Sequence, residues 1–95
     1  MSDTPLEISC QDVHARRNSG DAFFFVDCRE SHEYAIAKIE GAALIPMSEL
    51  TERLAEFEPY KDQPIVVHCH HGGRSLRVVR WLRNQGYPHA ISMAG

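Results

Sequence analysis

The run Cys69-His70-His71-Gly72-Gly73-Arg74-Ser75 holds the residues of this chain best suited to covalent chemistry. A cysteine reacts as its thiolate, so the question is what would hold it in that form. Two adjacent glycines let the backbone turn sharply and aim amide N–H groups inward. Those amides, the positive end of a following helix and Arg74 would favour an anion at the loop centre. The first such anion is the Cys69 thiolate, whose pKa falls from ~8.5 into the ~3.5–7.5 range in settings of this kind. The second is an anionic substrate arriving above it. One cradle would therefore make both a nucleophile and an oxyanion site. The plainer reading is a buried strand-end thiol beside a glycine turn, which usually holds for an isolated cysteine. Here cysteine, paired glycines, arginine and serine fall together at a strand-to-helix junction, which favours chemistry.

The elements around the loop support that placement. Residues 65–68, the β-branched run Ile65-Val66-Val67-His68, predict the strand that delivers Cys69. Residues 75–85 predict the helix that follows, with Val78, Val79 and Leu82 on one apolar face and Gly86 as its stop. Upstream, residues 6–9 predict a short strand, and Ser9 caps a helix with Asp12 three residues on. The apolar run 22–27 ends in Asp27 and suits a strand buried on both faces. A short helix over 31–37 follows, with Glu30 and Glu33 near its positive end. Residues 42–45 predict a third strand, stopped by Pro46. Ser48 is expected to cap a helix carrying Leu50, Leu54 and Phe57, closed by Pro59. Residues 90–93 predict a last strand. The order β-α-β-α-β-α-β-α-β implies a parallel sheet with helices on both sides, and ligands in such sheets bind beyond the carboxyl ends of the strands. Cys69 stands at one of those ends.

Composition bounds the rest. Ninety-five residues suffice for one compact domain, and 43% hydrophobic with 24% charged residues is ordinary for a globular chain. The net charge of -3 offers no field to recruit nucleic acid or an acidic membrane. Cys10, Cys28 and Cys69 form no CxxC pair and no disulfide framework, so a reducing cytoplasm is the expected compartment. No leader or membrane-length apolar run is evident.

At this point the chain resembles a known family. The run from Cys69 to Ser75 resembles the CxxGxR[ST] loop of rhodanese sulfurtransferases. Val26-Asp27-Cys28-Arg29-Glu30 is similar to the family's VD-x-RE segment, and His32-Glu33-Tyr34 to the helix after it. Ile39-Glu40-Gly41-Ala42 with Leu44-Ile45-Pro46 resembles the I-x-GA-x-NIP stretch, and Leu82-Arg83-Asn84-Gln85-Gly86-Tyr87 the end of the helix behind the loop. The resemblance runs nearly the whole length in the correct order. It implies a rhodanese-like three-layer α/β/α domain, with a central parallel sheet of about five strands. Two departures stand out. Ala37-Lys38 occupies the place of the usual Gly-His. The chain also stops at Met93-Ala94-Gly95, where the family continues into a final helix. That ending marks either a fragment or a domain without the helix, and it predicts a poorly covered sheet face.

The mechanism the resemblance implies is a double displacement. Cys69 takes the outer sulfur of a small anionic donor such as thiosulfate, becomes a persulfide, and passes that sulfur to cyanide, a thiol or a protein cysteine. Amides of residues 70–75 would stabilise the persulfide, and no metal or organic cofactor is implied. Arg74 would bind the donor or fix the loop through its planar fork. Related phosphatases and arsenate reductases use Cys-x5-Arg, whereas Arg74 makes Cys-x4-Arg, a narrower ring that suits sulfur better than phosphate. A module that carries sulfur for a dedicated partner, or only binds partners, is the remaining alternative.

Neighbouring residues have plainer roles. His68-Cys69-His70-His71 invites a metal reading, but adjacent strand residues face opposite ways and no second cluster supplies ligands. His70 and His71 are expected to be exposed, either tuning charge and substrate preference near the thiolate or standing as incidental surface residues. Asp27 and Arg29 are expected near the site as a structural ion pair. Cys28 could resolve a persulfide but reads first as core. Arg77 would add positive potential at the mouth, with Arg80 and Arg83 solvated. Trp81 reads as packing or an exposed interface.

Overall fold

The computed structural model describes residues 4–94. Strand β1 (Glu7–Ser9) leads into helix α1 (Cys10–Asn18), where the Ser9 hydroxyl accepts a 3.1 Å hydrogen bond from the Asp12 amide as a side-chain cap. β2 (Phe24–Asp27) is followed by α2 (Ser31–Ile36), then β3 (Ala43–Leu44). β4 (Ile65–His68), α3 (Gly73–Asn84) and β5 (Ala90–Ala94) complete the order. All five strands run parallel in one sheet, ordered β1-β5-β4-β2-β3.

Alternation along the strands divides the core between two faces. On one face Val26, Cys28, Ile65, Val67 and Cys69 pack against Val78, Val79 and Leu82 of α3, with Phe57 beneath them. On the other, Phe25, Val66, Ile91 and Met93 pack against Val13 of α1. These are the three layers expected of an α/β/α arrangement. Val66, Val67, Val79 and Leu82 are fully buried, and burial of each such side chain contributes roughly 1.5–3 kcal/mol. The sequence predicts one poorly covered sheet face without saying which, and the face with α1 carries the thinner layer. Its strand residues are nonetheless buried, while a cavity of about 450 Å³ opens between Ile8, Asp12, Ala15, Arg16 and Ile91.

The segment between β3 and β4 differs from the expected helix. It forms two short 3₁₀ turns, Met47–Glu49 and Leu54–Tyr60, and Pro59 lies inside the second rather than closing it. Ser48 caps nothing locally, because its hydroxyl donates to Glu30 Oε1 at 2.7 Å. Proline is tolerated in a turn this short, where few i→i−4 hydrogen bonds exist to lose. Helix α3 begins at Gly73, two residues before the expected start. Arg83 is not solvated: its guanidinium donates to the carbonyls of Pro5 and Ala90 at 2.8 Å and of Thr4 at 3.0 Å.

The strand order fixes where the loops open. After β4 the chain crosses to β5 on one side, and after β2 it crosses to β3 on the other. The two connections part above the β2/β4 border, leaving a crevice at their carboxyl ends. Cys69 lies on one bank and Asp27 on the other, since Asp27 is in register with His68. Among the described residues no helix is long and apolar enough to cross a membrane.

Candidate active site

Gly72 sets the shape of the loop after β4. It sits at φ +85°, ψ -15° as the N-cap of α3, a left-handed conformation that costs other residues about 1–2 kcal/mol. Its neighbour plays a different part from the one expected. Gly73 is already helical, and a Cβ there would meet nothing within 4 Å, so one glycine makes the turn.

The turn closes around sulfur. The Gly72 amide donates to Cys69 Sγ at 3.1 Å and the Ser75 amide at 3.3 Å, with the Ser75 hydroxyl 3.5 Å away. Cys69 is only 6% exposed. Burial by itself would push the thiol up. Hydrogen bonding with the Ser75 hydroxyl and from the amides of Ser75, Gly72 and His71 outweighs it and holds Cys69 below the ordinary cysteine value. The Ser75 hydroxyl is itself buried, 3.1 Å from the Gly72 carbonyl and 2.7 Å from the hydroxyl of Ser92 in β5. Ser92 escaped the sequence reading, where its only signal was a hydroxyl inside an apolar strand run.

Arg74 does not reach into the crevice. Nη1 and Nη2 donate to Glu33 Oε1 and Oε2 at 2.6 and 2.8 Å, a bidentate pair from α3 to α2. Of the two roles expected for Arg74, the geometry is that of fixing the loop. The same guanidinium, with the Glu30 amide, holds the Glu33 carboxyl down to about 2, and Glu33 in turn raises Arg74 above the ordinary guanidinium value. Glu33 was not singled out from sequence, where it read only as a helix-start acid.

Across the crevice Asp27 is fully buried beneath Arg29. Arg29 Nε and Nη2 donate to its carboxylate at 3.0 and 2.8 Å, the Arg29 amide adds 2.9 Å, and Nη2 reaches the Ala37 carbonyl at 2.6 Å. Burial would raise the Asp27 carboxyl, but the hydrogen bonds from Arg29 keep it below its usual value. The two residues form an ion pair, and Arg29 ties Ala37 to the end of β2. His68 stands beside it with Nε2 3.6 Å from Asp27 Oδ2, buried and without a hydrogen-bond partner among the described residues. Burial holds His68 below the ordinary histidine value.

A cavity of about 280 Å³ opens over this floor, lined among others by Arg29, Lys38, Ile39, His68, Cys69 and His70. His70 and His71 are exposed, their rings 4.2 Å apart. Among the described residues no three His, Cys, Asp or Glu side chains are grouped to hold a metal ion. Arg77 is not at this mouth. It lines a separate groove with Met47, Leu50 and Trp81, and Trp81 packs partly against the core. Cys28 is fully buried in the same core as Cys69, and burial followed by the charge of Cys69 pushes its thiol up to about 12. Cys10 is exposed at the head of α1.

Known proteins resemble this chain in sequence and fold. A thiosulfate sulfurtransferase (GlpE) of Stutzerimonas stutzeri strain A1501 is 32% identical over 85 residues, covering 90% of this chain and 74% of its own length. An adenylyltransferase and sulfurtransferase (MOCS3-2) of Zea mays is 30% identical over 93 residues, covering 93% of this chain; the match spans only 19% of that relative. The solved structure of a human single-domain sulfurtransferase (TSTD1) superposes with a TM-score of 0.82 at 30% identity, covering 96% of this chain and 90% of that one. The family profile of the rhodanese-like domain matches residues 9–95. With that profile matched over residues 9–95 and a solved fold superposing over 96% of its length, the chain belongs to the rhodanese-like domain family.

Proposed function

We propose that this chain is a sulfurtransferase that moves a sulfane sulfur from a small anionic donor such as thiosulfate to a thiophilic acceptor through a Cys69 persulfide. The observation that carries the reading is the ring of donors closed on Cys69 Sγ at the head of α3. In the first step the Cys69 thiolate attacks the outer sulfur of thiosulfate. The S–S bond of the donor breaks, its electron pair leaves with sulfite, and Cys69 keeps the sulfur as a persulfide anion. In the second step an acceptor removes the outer sulfur and restores the thiolate. The acceptor is cyanide in the test tube and a thiol or protein cysteine in a cytoplasmic setting.

The loop acts through pre-aimed charge. Amides at 71, 72 and 75 face the sulfur before the donor arrives, so little reorganisation is needed as negative charge moves onto the new outer sulfur. Arg74 acts as a positioning residue through Glu33, and Lys38 supplies positive charge on the cavity wall where the donor enters. His70 and His71 tune charge at the rim. One domain with no metal or organic cofactor suffices for these steps.

A second reading is a sulfur carrier loaded by a partner protein. It is favoured by the exposed histidine pair at the mouth and by the relative in which this domain is one part of a larger protein. The test is intact mass after incubation with thiosulfate, alongside thiocyanate release from cyanide. Wild type should gain about 32 Da and discharge it to cyanide, and Cys69→Ser should do neither. No gain from thiosulfate but a gain from a protein persulfide would turn the conclusion to the carrier. No gain from either donor would remove both readings.

A further inference from the structure

Cys28 has no part in the reaction above, yet the sheet sets it against the nucleophile. The β2/β4 register pairs Val26 with Val67 and Asp27 with His68. The Cys28 amide then donates to the His68 carbonyl at 3.0 Å, carrying the ladder one step beyond both strands. The next pair in that register is Cys28 with Cys69. Alternation puts both side chains on the face that already holds Val26 and Val67, and both belong to that core. Neighbouring strands lie ~4.8 Å apart, inside the ~4.4–6.8 Å that a disulfide spans between Cα atoms.

We propose that Cys28 is a resolving cysteine that turns an undelivered Cys69 persulfide into hydrosulfide and a Cys28–Cys69 disulfide. This inference rests on the persulfide reading of Cys69. The Cys28 sulfur attacks Cys69 Sγ, the inner sulfur. The bond between Sγ and the outer sulfur breaks, and the outer sulfur departs with the electron pair and the proton from Cys28 as HS⁻. The two cysteines are oxidised by two electrons and the sulfane sulfur is reduced by two. A thiol reductant then reopens the disulfide.

Burial assigns the two sulfurs to different attackers. Cys69 is only 6% exposed and meets solvent through the cavity, so an external acceptor meets the outer sulfur, while Cys28 meets the inner one from within the core. The amides that receive the persulfide charge also stabilise the leaving hydrosulfide. Cys28 stays protonated because burial and the charge on Cys69 both disfavour its thiolate, which makes the internal attack slow. Delivery to an acceptor therefore comes first, and resolution drains what remains.

The experiment loads wild type, Cys28→Ala, Cys28→Ser and Cys10→Ser with inorganic polysulfide, desalts them, and follows intact mass and trapped sulfide with time. A parallel arm uses thiosulfate. The expected result is that wild type and Cys10→Ser gain about 32 Da and then fall to about 2 Da below the reduced mass, releasing one equivalent of sulfide. Peptide mapping should join Cys28 to Cys69. Both Cys28 variants should hold the extra sulfur about tenfold longer, and circular dichroism shows whether they are folded. Equal decay in wild type and either folded Cys28 variant, or a disulfide through Cys10, overturns the proposal. Loading by polysulfide but not thiosulfate would count against the thiosulfate reading alone. No persulfide on Cys69 from either donor overturns both.

Discussion

Arg74 and Glu33 meet as a two-pronged pair, 2.6 and 2.8 Å between nitrogen and oxygen, joining the first turn of α3 to the helix after β2. The contact spans 41 residues of sequence and leaves the guanidinium committed to a carboxylate. Arg74 therefore governs the loop by holding its far end. Arg74→Lys keeps the charge but loses the fork. It should lower kcat/KM for thiosulfate about tenfold, and Glu33→Gln should follow it in the same direction. Steady-state kinetics of the single variants and the double variant check this. A double variant no worse than either single one would show that the pair acts as a unit, and additive losses would show that it does not.

Substitution at the two loop glycines should separate them. Gly72→Ala forces a Cβ into the left-handed region and should cost about 1–2 kcal/mol, together with most of the turnover. Gly73→Ala is helical with open space around the new methyl, and should be neutral or stabilising by about 0.5–1 kcal/mol. Urea midpoints and thiocyanate release report the two effects. Equal losses at both positions would contradict the assignment of the turn to Gly72.

The thiolate should persist below the ordinary cysteine range. Alkylation of Cys69 by iodoacetamide, followed against pH, should show a midpoint below 9.0, and Ser75→Ala should move it upward. Stability follows with a definite sign. The folded-state value is depressed, so the contribution is complete above the unfolded thiol's value and is lost as pH falls through the folded one. The destabilisation caused by Ser75→Ala should therefore be larger at alkaline than at neutral pH. A pH-independent difference would mean that the hydroxyl serves only its bonds to Gly72 and Ser92.

Lys38 lines the cavity where the resemblance leads one to expect histidine, with its Nζ 4.0 Å from Glu40 and 5.1 Å from the Tyr34 ring centre. Lys38→Glu should raise KM for thiosulfate about three- to tenfold at low salt while leaving kcat within about twofold. Raising the ionic strength should narrow the gap. An unchanged KM would place donor entry elsewhere.

The fold was legible where burial and local sequence agree. The runs ending at Asp27 and His68 are apolar on both faces because each strand is flanked by others and covered by two layers, and periodicity records that. The Ser9 cap and the apolar face of α3 were legible for the same local reason. The 48–60 segment was not, because its outcome depends on Glu30 taking the Ser48 hydroxyl from eighteen residues away. Within the site, Cys69, Gly72 and Ser75 announce themselves as a short motif. Glu33, Ser92 and the alignment of Cys28 with Cys69 do not. They follow from β4 lying between β2 and β5, an order that skips β3 and that no local pattern encodes.

That strand order has a temporal side. β5 follows the other four described strands in the chain, yet it seats between β1 and β4, and its Ser92 hydroxyl lies 2.7 Å from the Ser75 hydroxyl beside Cys69. On a ribosome, a chain whose β5 is still in the exit tunnel has no floor beneath its loop. Its cysteine is then an unremarkable thiol. On the proposed function, reactivity arrives only when the sheet closes, so a half-made chain would be spared from taking up sulfur it has no means to deliver.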